Sequence, residues 1–298
     1  MAKTHFSPSG ANQWMADRWY HYGRPVGNIF YVSATTGTDS SGYGFSPESP
    51  VATIDYAIGL CSADNGDLIA VMPGDTQTVT GAAGIAADVA GVKIVGMGTG
   101  RQRAIINFTT ATGASCDVTA ARVSFENLTF TNGIDAQTAM VNVQAADCTI
   151  TNCEFDFANS STQAALAVLT TAAANRLRIE NCHFHGTTDA GTATAIRIVG
   201  GTDIVIQNNV ILGAFTTSLG GIENNTTACT NTVIAGNLIG NQTASSTKAI
   251  VLASGATGYV INNRLQILSG TAPITAAAGY VGGNYYVAAA GVTAGTLV

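Results

Sequence analysis

Along most of this chain apolar residues recur two apart in short runs, and the runs share one phrase. An aliphatic or aromatic residue is followed by one residue, then Asn, then another large apolar residue two or three places on. The phrase reads Phe125-Glu-Asn127-Leu-Thr-Phe130, Ile150-Thr-Asn152-Cys-Glu-Phe155, Ile179-Glu-Asn181-Cys-His-Phe184 and Ile206-Gln-Asn208-Asn-Val-Ile211. It returns weakened as Ile234-Ala-Gly236-Asn-Leu-Ile239, Ile261-Asn-Asn263-Arg-Leu265 and Val281-Gly-Gly283-Asn-Tyr-Tyr286. The steps from Asn127 through Asn152, Asn181, Asn208, Gly236, Asn263 and Gly283 are 25, 29, 27, 28, 27 and 20 residues. Alternation of this kind predicts strands. The stretches between are Gly, Ala, Thr, Asn and Asp, turn residues with no 3.6-residue apolar stripe. A fixed period of this length is the mark of a solenoid.

Asn at a constant place suits a bend, because it tolerates the left-handed conformation and its amide bonds to local backbone. Stacked coil on coil, the amides of Asn127, Asn152, Asn181, Asn208 and Asn263 are expected to form a ladder. Cys153, Cys182 and Asn209, each one place later, strengthen the register. The predicted architecture is all-β, a right-handed parallel β-helix. About nine coils fit between residues 67 and 287, a prism roughly 40 Å long at about 4.8 Å per coil.

Upstream, Pro47-Glu-Ser-Pro50-Val-Ala-Thr-Ile54-Asp-Tyr-Ala57-Ile58 predicts a short helix opened by Pro50, with Ile54, Ala57, Ile58 and Cys61 on one face. Such a helix plugs the open end of a solenoid, which otherwise exposes an apolar cross-section. Gly66-Asp67 turns into the first coil strand, and Val92-Lys-Ile94-Val-Gly96 begins the second. With these residues and the repeat, the chain from 29 to 287 resembles the pectate-lyase-like β-helix superfamily. The Tyr31-Val-Ser33 strand and the Gly-rich loop from Thr36 to Gly44 resemble the version found in phage particle proteins. The chain then divides into an aromatic arm (1–28), a lead strand, loop and capping helix (29–66), the β-helix (67–287) and an uncharged tail (288–298).

Charged residues make up 10% of the chain, well below the quarter usual in globular domains, so the outward positions are mostly Ala, Thr, Ser and Gly. Surfaces so poor in charge suit burial against partner chains, and a homotrimer packed along the solenoid axes is expected, partly by resemblance to phage spikes. The alternative is a monomer with a neutral Thr/Ser/Asn surface. A net charge of −6 with 12 Lys and Arg lacks the basic stripe that nucleic acid requires. No apolar stretch is long enough for a membrane span, and Met1 to Pro8 shows no signal-peptide core, which points to synthesis in a host cytoplasm. The six cysteines follow no metal spacing. Cys153 and Cys182 share a register position close enough for a disulfide, but are read as buried thiols.

The first 28 residues differ in kind. Phe6, Trp14, Trp19, Tyr20 and Tyr22 lie there, with a helix expected from about Ala11 to Tyr20 that sets Trp14 and Arg18 one turn apart. The segment either packs on the solenoid or anchors the chain in a larger assembly, where Trp, Tyr and Arg dominate binding. The tail from Ala288 to Val298 carries no charge, which favours a covering by other copies.

Relatives of the pectate lyase kind imply calcium held by carboxylates plus a basic residue, and hydrolytic ones paired acids. The best match here is Glu154 and Asp156, one coil below His183 and His185, all outward because Phe155 and Phe184 point in, with Asp189 beyond. Acid beside imidazole can serve as a general acid and base. No Arg or Lys is expected to join them, and one coil further the same columns hold Val210 and Leu212, which look like an interface. The four are therefore read as solvated contacts. Other outward acids (Asp135, Asp147, Asp203, Glu223) are scattered singly, and Arg101 and Arg103 sit in a Gly-flanked loop as a solvated or anion-binding pair. No metal site and no cofactor are expected. The leading function is a non-enzymatic phage virion protein, a spike or decoration contacting other virion proteins through residues 1–28. The alternatives are a carbohydrate-active depolymerase or lyase using the Glu154–His185 face, and a host-glycan-binding protein, for which Tyr280, Tyr285 and Tyr286 are the grouped aromatics.

Overall fold

The computed structural model describes residues 27–157, 162–186, 192–215, 219–224, 226–269, 272–275, 279–288 and 296–297. Its strands form three long parallel sheets in which each neighbour comes from the next coil. In chain order, the first sheet starts with Ile29–Val32 and Leu68–Val71, the second with Thr76–Val79 and the third with Ile85–Ala87. Among the described residues eight coils contribute a strand to all three sheets, and a ninth contributes Tyr280–Gly282 and Tyr285–Ala288. The first four steps that the sequence predicts reappear as strand register, for example Ile150 opposite Ile179 and Phe155 opposite Phe184. The last two are instead 26 and 21 residues, with Ile234 opposite Val260 and Val260 opposite Val281.

The core is a set of like-on-like columns. In the second sheet Phe130, Phe155 and Phe184 stack with ring centroids 4.8 and 4.6 Å apart and nearly parallel planes. Their spacing is that of adjacent strands, about 4.8 Å, so the backbone ladder itself sets the stacking distance. In the first sheet the inward column runs Ile94, Phe125, Ile150, Ile179, Ile206, Ile234 and Val260, all buried. Each such side chain contributes roughly 1.5–3 kcal/mol.

The corner between the first and second sheets departs from the expected amide column by one residue. Asn127, Asn152, Asn181, Asn208, Gly236, Asn262 and Gly283 all have φ between 53° and 66°, so these are the left-handed bend residues. Asn152, Asn181, Asn208 and Asn262 turn outward and are exposed. At Gly236 a Cβ would lie 2.7 Å from Asn208 Oδ1, so glycine leaves room there for the Asn208 side chain. The buried ladder belongs to the next position. Asn209, Asn237, Asn263 and Asn284 stack there, and each of the first three passes an Nδ2 hydrogen bond of 2.9–3.0 Å to the Oδ1 above. Asn263 is thus in the ladder but not in the bend, and Asn152, Asn181 and Asn208 are in the bend but not in the ladder. A left-handed residue splays its own side chain outward and tucks the following one under the next coil. Asn127 is the exception, buried with Nδ2 donating to the carbonyls of Gly96 and Gly98.

The capping helix is Ile54–Leu60, with Ile54, Ala57 and Ile58 buried against the first coil. It opens at Thr53, whose hydroxyl accepts from Tyr56 N–H at 3.1 Å, and not at Pro50. Asp39 of the Gly-rich loop accepts from Ala52 N–H, Thr53 N–H and the Thr53 hydroxyl, which gives that loop a structural task. At the other end Thr296–Leu297 pairs antiparallel with Tyr285–Ala288, so the chain's own tail covers part of this sheet edge. All six cysteines are free thiols, and no helix among the described residues is long and apolar enough to cross a membrane.

Candidate functional site on the second sheet

Leu128–Asn132, Glu154–Asp156, His183–His185 and Val210–Gly213 are consecutive neighbours in the second sheet. Glu154 lies opposite His183, and Asp156 opposite His185. Alternation sends Phe155 and Phe184 into the core and leaves the four polar side chains on the outer surface. The closest contact is diagonal. His185 Nε2 lies 2.9 Å from Glu154 Oε1, while its Nδ1 lies 3.8 Å from Asp156 Oδ1. The His183 and His185 rings are 5.1 Å apart and tilted by 37°.

One expectation is corrected here: a guanidinium does join the cluster. Arg103 Nη1 lies 3.3 Å from Glu154 Oε2. Ile105 belongs to the outward column that continues through Thr129 to Glu154, and Arg103 precedes Ile105 by two residues, so it shares that outward side. Thr129 is short, so the long Arg103 side chain spans it to reach the carboxylate two coils away. Donor atoms of Glu154, His183 and His185 also lie within 4.8 Å of one another. Partial burial, followed by the neighbouring His185 and, more weakly, Arg103, lowers the His183 pKa below its ordinary value against the opposing pull of Glu154.

The acids that look scattered in the sequence have partners. Asp147 binds Arg176 at 2.5 Å, Asp203 accepts from Asn231, and Glu223, fully buried, takes a 2.9 Å contact from Arg197 Nε. Arg176 holds the Asp147 carboxyl below its usual range. Val210 and Leu212 continue the His183 and His185 columns, both half-buried, and the first column goes on to Leu238, Arg264 and Tyr285. Tyr280 and Tyr285 lie on different sheets and Tyr286 packs against the core. The exposed aromatic pair is instead Tyr259 with Tyr280, centroids 6.2 Å apart. Phe6, Trp14, Arg18, Trp19, Tyr20, Tyr22 and Asp189 lie outside the described residues.

A family model described as right-handed β-helix region matches residues 109–281. No curated protein matches the chain by sequence. Among solved structures, the pectate lyase Pel9A superposes with a TM-score of 0.59 at 14% identity, over 87% of this chain and 76% of that one. A rhamnogalacturonan lyase gives 0.56 at 12% identity over 80% and 68%. A GH136 lacto-N-biosidase from Eubacterium ramulus gives 0.53 at 12% identity over 93% of this chain and 57% of that one. At such identities the likeness is one of fold, and fold carries little about function. The family match spans more than half of the chain and agrees with its coil-by-coil register, so this protein belongs to the right-handed β-helix family.

Proposed function

We propose that this protein is a non-enzymatic structural component of a phage particle, a β-helical spike or decoration that stands beside copies of itself and is held by its N-terminal arm. One observation carries the reading. Towards the C-terminal end the outward columns become mostly apolar. In the first sheet the column Lys93, Ser124, Thr149 and Arg178, which follows Ile29 and Leu68, becomes Val205, Val233, Tyr259 and Tyr280. In the second sheet His183 gives way to Val210 and Leu238, with Arg264 and Tyr285 beyond. Leu238, Tyr259, Tyr280 and Tyr285 are 41–63% exposed, an apolar end that a neighbouring copy would cover. The 10% charge content and the resemblance of the lead strand and loop to phage particle proteins support the same reading. The test is the solution mass of the full-length chain beside a Leu238→Asp/Tyr280→Asp variant. A trimer that becomes a monomer with unchanged circular dichroism is expected. A monomeric wild-type chain overturns the proposal.

A second reading is favoured by Arg103. With a guanidinium beside Glu154 and His185, the outer face of the second sheet has an acid, an imidazole and an anion-binding group together, as a carbohydrate-active protein acting on an acidic glycan needs. The fold likeness to a pectate lyase and a rhamnogalacturonan lyase supports it. Cleavage of a uronate polymer that disappears in Glu154→Gln and His185→Ala would establish this reading over the first.

A further inference from the structure

We propose that Glu154, His183 and His185 form a binding site for one zinc-class divalent transition metal ion, clamping two adjacent coils together. The site does not depend on either reading of function. Two imidazoles and a carboxylate are a ligand set that suits zinc, nickel or cobalt, whereas calcium takes oxygen ligands.

The placement is built into the sheet. His183 and His185 are two apart on one strand and so face the same way, and Glu154 faces His183 from the strand below. Their donor atoms are within 4.8 Å of one another, and His185 Nε2 and Glu154 Oε1 are already 2.9 Å apart. Around a tetrahedral ion with bonds of about 2.0–2.1 Å the ligand atoms stand about 3.3 Å apart. Small rotations of three surface side chains close that difference. The ion then replaces the proton shared between Nε2 and Oε1.

Two further groups stand where outer partners of metal ligands are found. The other nitrogen of His185, Nδ1, lies 3.8 Å from Asp156 Oδ1, beyond a hydrogen bond but on the side from which a carboxylate can orient a metal-bound imidazole after a small rotation. Glu154 divides its oxygens, with Oε2 held by Arg103 and Oε1 toward His185. The strands on either side offer Thr129 and Thr131 below, and Val210 and Leu212 above. The site therefore has three strong protein donors, and its remaining position faces solvent past the exposed His183 ring.

The experiment uses the full-length chain stripped with a chelator, then titrated with zinc chloride by calorimetry and with cobalt chloride by visible absorption. One ion per chain is expected, with cobalt bands free of thiolate charge transfer. Binding should vanish in His183→Ala and in Glu154→Gln, each checked for an unchanged melting curve, and weaken by about tenfold in Asp156→Asn. Calcium chloride should not compete. Failure to bind zinc at millimolar concentration overturns the proposal, as does binding that survives both substitutions. Loss of the trimer in the mass measurement would leave this result untouched, so the two proposals fail separately.

Discussion

One corner of the solenoid is filled in two ways. In two middle coils the residue after the bend is Cys153 or Cys182; in the coils that follow it is Asn209, Asn237, Asn263 or Asn284. Cys182 and the asparagines serve the same backbone group, whereas Cys153 Sγ donates within its own coil to Thr151 O at 3.3 Å. Cys182 Sγ donates weakly, at 3.5 Å, to the carbonyl of Ile150 in the coil below. Asn209, Asn237, Asn263 and Asn284 donate to the equivalent carbonyls of Ile179, Ile206, Ile234 and Val260 at 2.8–3.0 Å. The amide also presents an acceptor, and the ladder begins where Asn209 Oδ1 takes the N–H of Cys182 at 2.8 Å. A repeat thus fixes the need for a small buried donor at this corner and leaves its strength to the residue. A thiol meets the need as a compact hydrophobe, whereas an amide does so through bonds that couple each coil to the next.

Alkaline pH should separate thiol from amide most strongly, because thiols titrate and amides do not. Cys182 lies at the corner, while Cys116 and Cys61 lie elsewhere in the fold and titrate alongside it. Burial pushes the Cys116 and Cys182 thiols well up, with Asp117 adding at the first and Cys153 at the second. Burial and then Asp67 push Cys61 up to about 12. A pKa raised on folding means that the folded chain holds more protons than the unfolded one above about pH 8.5. Stability is therefore full below that pH and falls as pH rises toward the folded values. Each fully buried thiol removes roughly 1–2 kcal/mol per pH unit, so Cys116 and Cys182 together cost on the order of 4–5 kcal/mol by pH 10. Urea midpoints at pH 7.5, 9 and 10 should fall accordingly, with a shallower slope in Cys116→Val. A flat profile would show that these thiols are not buried.

The amide half should fail to substitution instead. Asn237 accepts from the N–H and Nδ2 of Asn209, and donates to Ile206 O and Asn263 Oδ1. Asn237→Leu strands these buried groups at about 1–3 kcal/mol each, partly relieved by the apolar side chain. A loss of about 3 kcal/mol in urea unfolding at pH 7.5 is expected. A loss under 1 kcal/mol would mean that the ladder is decoration on a backbone that needs no help.

What the sequence discloses and what it hides follow from the same periodicity. Phe155 and Phe184 fix parity and the 29-residue step fixes register, so the Glu154–His183 face is legible from the residues alone. The bend and the ladder are harder to separate, because Asn262-Asn263 offers two alignments one residue apart. Only burial distinguishes the left-handed Asn262 from the inward Asn263. Arg103 is hidden for another reason. It lies in a loop outside the repeat, 51 residues from Glu154, and reaches it only by passing a short Thr129. Long side chains that skip a coil leave no period to read. The helix start is easily misplaced because Pro50 is a visible signal, whereas the Thr53 cap depends on Asp39 from a distant loop.

The smallest effect is also the sharpest test of the corner. If thiol and amide answer one structural need, Cys182→Asn should extend the ladder downward by one coil. The new Nδ2 would sit where Cys182 Sγ already faces Ile150 O, within reach of Asn209 Oδ1, so both amide hydrogens gain acceptors. The new Oδ1 would meet the buried Cys153 on the strand below, where a thiol is a weak donor. Gains and losses nearly cancel, and the urea midpoint at pH 7.5 should move by less than about 1 kcal/mol in either direction. The reverse change, Asn237→Cys, removes a strong acceptor from two donors and should cost clearly more. Equal costs for the two exchanges would mean that the corner positions are not equivalent, and that the amide ladder belongs to the C-terminal coils for a reason other than the carbonyl they all share.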